Sequence, residues 1–349
     1  MRISTSINYS GDVKAAAEEA SRLEAGGVDM VWVAEAYGFD AVSLMGYLTA
    51  ITESVVVGSG ILNIYSRTPS TLAQTAAGLD NLSGGRFALG LGASGPQVIE
   101  GFHGVPYHAP IGRTREIIEI CRKIWAREAK LDHHGKYYDI PLADGEGTGL
   151  GKPLKIINHP IRSDIPIYLA ALGPKNIQLT AEVANGWLPI FFHPAKSGDV
   201  WGADLETGKA KRDPALGELD VVAGSMVSIG EGAEKNREFM RPMIALYVGG
   251  MGAKGKNFYN TLFTNYGYGA EAEQIQDLYL DGKKQEAAAL IPDDFLEATS
   301  LCGPEAYVKD RLAEFAEAGV TNLNVTPVPA DGGDPVDLVS RVKQLAADI

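Results

Sequence analysis

Hydrophobic positions along the chain fall into two kinds of segment that alternate regularly. Short apolar runs with no polar alternation predict strands covered on both faces, and these lie at residues 2–8, 30–33, 55–60, 86–92, 165–171, 187–191, 219–228 and 322–326. Segments with apolar residues at a spacing of about 3.6 predict helices, and these lie at 12–25, 40–51, 69–82, 113–126, 174–184, 304–318 and 335–347.

Eight strands, nearly all followed by a helix, predict a closed (β/α)8 barrel in the α/β class. An open doubly wound sheet is the less favoured alternative. Two segments interrupt the pattern: about 127–164, with a small hairpin near 133–140, and about 231–297, which is largely helical. We therefore expect one domain over residues 1–349, with insertions after the fourth and seventh strands at the carboxyl end of the barrel.

Composition narrows the class of partner. The chain has 349 residues, 45% of them hydrophobic, and a formal net charge of −13. That charge argues against a nucleic-acid partner, which needs clustered lysine and arginine. No signal peptide and no membrane span are expected. With only two cysteines, Cys121 and Cys302, far apart in the sequence, a reduced cytoplasmic protein is the natural interpretation.

Polar residues follow the second and third strands, where a barrel builds its site. Glu35 follows the second strand beside Tyr37, and it is either a helix cap or a residue of the site. Gly58 and Gly60 interrupt the third strand, which indicates a bulge or a close backbone approach. On the next loop, Arg67 either binds an anion or pairs with a carboxylate.

The loops after the fourth and fifth strands are rich in small residues. Residues 92–95 read Gly-Ala-Ser-Gly and offer free backbone N–H groups, although they match no Walker or Rossmann motif. Gly173 and Pro174 begin a helix, whose first N–H groups suit a phosphate, with Lys175 beside them. The six histidines show no metal-ligand spacing, and no activated nucleophile is evident, so no metal is expected.

Aromatic residues are concentrated in the second insertion. They form either the core of that helical insertion or a lid over a hydrophobic substrate. These residues are Phe258, Tyr259, Phe263, Tyr266 and Tyr268.

Four motifs carry a resemblance to a known family. The order AEA (34–36), GSGILNIYSRTP (58–69), LSGGRFALGLGASGP (82–96) and ALGPKN (171–176) resembles the bacterial luciferase-like superfamily. Within it, the chain is most similar to coenzyme F420-dependent oxidoreductases such as methylenetetrahydromethanopterin reductase. The resemblance runs to about residue 194 and returns at 302–304.

The resemblance implies a TIM barrel with a deazaflavin in its mouth and a non-prolyl cis peptide at Gly60–Ile61. It implies cofactor contacts at Gly60, Ile61, Asn63, Gly92, Ser94, Gly95, Ala171, Leu172, Gly173, Pro174, Lys175 and Asn176. Substrate contacts are expected at Asn8, Tyr37, Tyr65, Phe258, Tyr259 and Tyr266. By the same analogy, we expect a homodimer that acts on a small organic molecule.

The chain departs from the family at one position. Several members carry Asp-His where this chain has Glu35-Ala36, and alanine cannot transfer a proton. Glu35 then becomes the first candidate for the proton donor, provided that burial raises its pKa. The leading hypothesis is hydride transfer between the deazaflavin C5 and an organic substrate. FMN-dependent monooxygenation, a non-catalytic flavin-binding barrel and a cofactor-free lyase are the alternatives.

Overall fold

A computed structural model describes residues 1–7, 10–330, 332–347 and 349. Over these residues the strands are Arg2–Ile7 (β1), Met30–Val33 (β2), Val56–Ser59 (β3), Leu62–Asn63 (β4), Phe87–Gly92 (β5), His133–His134 (β6), Asp139–Ile140 (β7), Ile167–Leu169 (β8), Gly186–Trp187 (β9), Asp220–Ala223 (β10), Met226–Ile229 (β11), Leu301–Gly303 (β12) and Asn322–Pro327 (β13).

The α-helices of the same residues are Val13–Ala25 (α1), Ala41–Ile51 (α2), Pro69–Leu82 (α3), Pro96–Gly101 (α4), Pro110–Ala126 (α5), Pro174–Val183 (α6), Pro194–Lys209 (α7), Arg241–Ala245 (α8), Phe258–Asn265 (α9), Gly269–Leu280 (α10), Lys284–Ala289 (α11), Asp293–Thr299 (α12), Glu305–Glu317 (α13) and Pro335–Ala346 (α14). Short 3-10 helices lie at Pro214–Leu216 and Ala233–Met240, and a π-helix lies at Leu246–Gly250.

Eight parallel strands close the barrel in the order β1, β2, β3, β5, β8, β9, β10 and β13. The ring closes because β13 pairs with β1, with Asn322 beside Arg2. The predicted (β/α)8 barrel is therefore confirmed, and the open doubly wound alternative is wrong. The predicted hairpin in the first insertion is also present, formed by β6 and β7.

The structure differs from the prediction in several elements, among them the short strand β4 and the short helix α4, which the sequence did not predict. The seventh predicted strand is split into β10 and β11, and β11 leaves the barrel wall to pair with β12 and β13. The sequence did not predict β12, because three buried residues are too few to show a period. It also missed α7, which contains Gly198, Gly202 and Gly208 in sixteen residues, because glycine lowers helix propensity.

A polar network closes the amino end of the barrel. The Arg2 guanidinium pairs with the Asp220 carboxylate, which also accepts a 2.8 Å hydrogen bond from the Tyr168 hydroxyl. Burial raises the pKa of Tyr168 well above its ordinary value, so the phenol stays protonated as a donor. Above this network, the ring of Tyr168 packs edge-on against Trp32, with 5.0 Å between centroids.

The tightest contact in the barrel wall lies between β3 and β5. The Ser59 hydroxyl lies 2.8 Å from both the backbone nitrogen and the carbonyl oxygen of Gly90. A Cβ atom at Gly90 would lie 1.7 Å from the Ser59 carbonyl oxygen. Position 90 therefore accepts no side chain unless the two strands separate.

We predict that Gly90→Ala lowers the free energy of unfolding by more than about 3 kcal/mol, because the added methyl group forces backbone atoms apart. Gly78→Ala, in the middle of α3 with nothing within 4 Å of the added carbon, is the matched control and gains about 0.5–1 kcal/mol of helix propensity. Urea unfolding of both variants tests this. Equal stability of the two variants would contradict the close approach.

Candidate functional site

The carboxyl end of the barrel, which we call the mouth, has a floor of mostly small residues. Paired residues of parallel strands share a face, and the buried cluster that includes Trp32, Tyr168 and Val222 marks the inward face. The next inward positions toward the mouth are Ser6, Gly60, Gly92, Ala170, Leu188, Gly224 and Asn324. Only Leu188 is large, so few bulky side chains project into the mouth above Trp32.

The segment after β3 forms one wall of the mouth. The non-prolyl cis peptide expected between Gly60 and Ile61 is present. A Cβ atom at Gly92 would lie 2.7 Å from Ile61 Cδ1, and one at Gly60 would lie 3.2 Å from Trp32 Cβ. The Ile61 side chain thus lies across the face of Gly92, because that glycine carries no side chain.

The loop between β8 and α6 is fixed from beneath by two buried tryptophans. Trp187 Nε1 donates to the Ala171 carbonyl over 3.0 Å, and Trp201 Nε1 donates to the Leu172 carbonyl over 3.1 Å. Gly173 caps α6 with its carbonyl and without a side-chain cap. The carbonyls of the loop are held by the core, while the first N–H groups of α6 lack a side-chain acceptor.

Residues 92–95 connect β5 to the short helix α4. Ser94 adopts the left-handed conformation at a φ of 56°, and its carbonyl accepts a 3.4 Å hydrogen bond from the Tyr107 hydroxyl. Lys175, on the neighbouring loop, bonds to Gln178 over 3.2 Å. The cofactor contacts expected from these two loops stay predictions.

Glu35 is held by a buried ion pair at the edge of the mouth. Both of its oxygens accept from the Arg67 guanidinium, at 2.6 and 2.8 Å, and one also accepts from the Ala41 backbone N–H at 3.0 Å. The Glu35 side chain is only 8% exposed. A bidentate guanidinium stabilises the ionised carboxylate, and the same bond raises the pKa of Arg67.

These contacts favour a positioning role for Glu35 over the expected proton donor. The ion pair joins the loop after β2 to the loop after β4. Of the two roles expected for Arg67, the structure shows the pairing with a carboxylate. The Ala41 N–H is at the amino end of α2, so the Glu35 carboxylate also stabilises that end of the helix.

Asn63 shapes the loop that follows the cis peptide. Its side-chain oxygen accepts from the backbone N–H groups of Tyr65 and Ser66, at 3.1 and 2.7 Å. The amide nitrogen therefore faces His103 Nε2, 3.4 Å away. This contact could not be predicted from the sequence, because His103 lies 40 positions after Asn63.

The expected substrate residues do not gather in one place. Tyr37 is 60% exposed and packs on Phe102, with 6.3 Å between ring centroids. The Tyr65 side chain is directed away from the mouth, and its hydroxyl donates to the His108 carbonyl over 3.0 Å. Asn8 lies outside the residues that the structure describes.

The aromatic residues of the second insertion are mainly its core, which was the other interpretation. Tyr266 is 2% exposed and donates its hydroxyl to the Phe191 carbonyl over 3.0 Å, so its expected role in substrate contact is wrong. Tyr259 packs edge-on against Phe191, while Phe258 is half-exposed at the start of α9. These contacts attach the insertion to the barrel.

His193 completes this attachment. Burial, followed by the nearby Lys196 and Arg311, lowers the pKa of His193 to about 4. Its ring packs against Tyr266, with 5.5 Å between centroids. The imidazole is therefore neutral at ordinary pH and belongs to the packed core.

Two polar residues of the mouth were not anticipated. Ser6 on β1 and Asn324 on β13 lie side by side, with the Asn324 amide nitrogen 2.9 Å from the Ser6 hydroxyl oxygen. The alternation of Ile3 and Thr5 with Ser4 and Ser6 along β1 could have indicated an inward polar face. Among the described residues no cluster of three metal-ligating side chains occurs, and no helix is long and apolar enough to span a membrane.

Comparison with known proteins gives the family. The family model described as luciferase-like monooxygenase matches residues 1–322. The chain belongs to this family. The resemblance found in the sequence motifs is thereby confirmed.

Relatives within the family have informative names. A Mycobacterium tuberculosis protein named as a coenzyme F420-dependent oxidoreductase is 40% identical over 318 residues, covering 90% of this chain and 91% of its own length. The 5,10-methylenetetrahydromethanopterin reductase of Archaeoglobus fulgidus is 28% identical, covering 91% of both chains. The solved coenzyme F420-dependent tetrahydromethanopterin reductase of Methanopyrus kandleri superposes with a TM-score of 0.78 at 25% identity, covering 97% of both chains.

We predict that Glu35→Gln lowers the free energy of unfolding by about 3 kcal/mol, because it leaves the buried Arg67 without its counter-charge. Glu206→Gln, which breaks the exposed pair with Lys209, is the control and costs less than about 0.5 kcal/mol. Chemical unfolding measures both. Equal costs would show that the Glu35–Arg67 pair does not hold the two loops.

Proposed function

We propose that this chain is a coenzyme F420-dependent oxidoreductase, which transfers a hydride between the deazaflavin C5 and a small organic substrate. The observation that carries the proposal is the floor of the mouth, where the small residues Gly60, Gly92, Ala170 and Gly224 present no bulky side chain to a flat ring system. The relative that is 40% identical over nine-tenths of the chain favours F420 over FMN.

The residues of the mouth fit a flat tricyclic ring. Such a ring needs a surface without branched side chains, and the missing Cβ at Gly92 is the space that Ile61 fills. The Ile61 side chain, directly after the cis peptide, lies against Gly92. Gly60, Ile61 and Asn63 would therefore support one face of the ring.

The loops around the mouth would hold the remainder of the cofactor. Free backbone N–H groups at a helix start suit an anionic group, and α6 begins beside the mouth. The residues proposed for this role are Gly92, Ser94, Gly95, Ala171, Leu172, Gly173, Pro174, Lys175 and Asn176. When bound, the deazaflavin supplies the hydride chemistry.

The chain itself positions the reactants and excludes water. The Glu35–Arg67 pair fixes the two loops that border the mouth, and the packed second insertion fixes the segment after β9. Ser6 and Asn324 offer a hydroxyl and an amide at the opposite side of the floor. Tyr37, Phe258 and Tyr259 remain proposed substrate contacts, and the homodimer and the cytoplasmic location stay predictions.

Titration with purified F420 and FMN tests the proposal. We predict that F420 binds at least about tenfold more tightly than FMN, a difference of about 1.4 kcal/mol. Quenching of cofactor fluorescence measures both affinities. Tight binding of FMN without binding of F420 would overturn the proposal and favour a flavin monooxygenase.

One pair of variants ties the binding to the mouth. Gly92→Ala places a methyl group 2.7 Å from Ile61 Cδ1, so the Ile61 side chain must move into the ring site and weaken F420 binding. Gly202→Ala, in α7 with nothing within 4 Å of the added carbon, is the control and leaves the affinity unchanged. Equal affinities of the two variants would place the cofactor elsewhere.

A further inference from the structure

A second cavity lies beside the mouth, and of the residues assigned so far only Tyr65 and Arg67 line it. It encloses about 470 Å³ between three segments: the loop 64–69 that follows β4, the loop 105–108 before α5, and the hairpin strand β7. Arg113, in the first turns of α5, contributes its side chain to the wall. We call this space the Arg113 cavity.

Arg113 carries a positive charge without a counter-charge. No acidic side chain lies within 4 Å of its guanidinium among the residues that the structure describes. Its Nε atom is buried and lacks a hydrogen-bond partner in the same residues. The residue as a whole is half-buried, and partial burial of a cation without an anion is unfavourable, so a bound anion would stabilise this charge.

The neighbours of Arg113 are neutral. Arginine only donates hydrogen bonds, so Arg113 Nη2 donates to His108 Nε2 over 2.9 Å. The guanidinium lies over the rings of Tyr65, Tyr137 and Tyr138, at 6.0, 5.8 and 5.2 Å from their centroids. These cation–π contacts orient the group but leave its charge uncancelled.

The tyrosine hydroxyls at the cavity are neutral, and that of Tyr65 already donates to the His108 carbonyl. Burial raises the pKa of Tyr65 to about 12, and burial likewise raises the pKa of Tyr138. Both phenols therefore stay protonated at physiological pH. An anion beside Arg113 would meet a cation and neutral O–H groups, with aromatic faces to pack against the rest of the molecule.

The other charged side chains at the cavity have polar partners of their own. Arg67 forms the buried pair with Glu35, and the Asp139 carboxylate contacts His134 Nδ1 at 3.0 Å. Glu116, one turn along α5, accepts from the backbone N–H groups of the hairpin. Among the described residues, Arg113 is thus the cation of the cavity that has no carboxylate within 4 Å.

We propose that the Arg113 cavity binds the carboxylate or phosphate group of an anionic small molecule, whose body lies between Tyr65 and Tyr138. Two sources offer this chemistry: the acidic tail of a deazaflavin seated in the mouth, or a separate anionic metabolite. Ile64 of the cavity directly follows Asn63 of the mouth, so one extended molecule can reach both. Recognition of the anion does not depend on which ring the mouth binds.

Thermal unfolding with inorganic phosphate tests the site directly. At constant ionic strength, phosphate raises the melting temperature of the wild type more than that of Arg113→Gln, in which the start of α6 is still able to bind phosphate. The difference between the two is the phosphate response of the cavity. The matched control is Arg115→Gln, which removes the same charge from the same helix but breaks a pair with Glu182, and it responds to phosphate like the wild type. Arg113→Lys retains part of the response, since lysine binds phosphate as a point charge.

The folding of the variant is checked without ligand. Arg113→Gln removes an unpaired buried charge, so its melting temperature without phosphate is at least that of the wild type. Equal phosphate responses of the wild type and Arg113→Gln would overturn the proposal. So would an equal loss of response in Arg115→Gln, because the effect would then be one of net charge.

The source of the anion is separated by two deazaflavins, F420 and its tail-less chromophore. If the tail occupies the cavity, Arg113→Gln weakens F420 binding about tenfold or more and leaves the chromophore unaffected. If a separate anion binds there, both affinities are unchanged while the phosphate response of the cavity is lost. Equal weakening of both deazaflavins would overturn the proposal. Failure of the wild type to bind either deazaflavin would refute the proposed function alone, because the phosphate test needs neither.

Discussion

The close contact of β3 and the cis peptide segment with β5 is the constraint on which the site depends. Ser59 bonds to both backbone groups of Gly90, and one level higher Ile61 lies across Gly92. Both contacts require a residue without a Cβ on β5. The glycines that let the strands approach each other also leave the top of the barrel without bulky side chains. The close packing of the wall and the room for a ligand therefore depend on the same residues.

The rest of the structure supports this wall from outside. The Glu35–Arg67 pair fixes the loops after β2 and β4, and the indoles of Trp187 and Trp201 fix the loop after β8. The second insertion holds the segment after β9 through Tyr266. A preorganised mouth is what hydride transfer needs from the protein, because the redox chemistry belongs to the cofactor.

The alternation of strands and helices predicted the barrel, and Gly60, in the third predicted strand, indicated a close backbone approach, which the structure shows against Trp32. Pairings between distant segments could not be predicted from the sequence. Arg67 was expected either to bind an anion or to pair with a carboxylate, and only the fold shows that its partner is Glu35. The role of Tyr266 was ambiguous for the same reason, because the sequence pattern of an aromatic residue is the same in a core and in a lid. Helix α7 was missed because its three glycines obscure the helical period.

The most direct test of the central claim is a crystal structure of the protein with F420 bound. The account predicts that the deazaflavin ring lies over Gly60, Gly92 and Ala170, with Ile61 against one face and the phosphate near the start of α6. A structure in which the ring binds elsewhere and leaves the mouth empty, with the contact between Ile61 and Gly92 unchanged, would contradict this account.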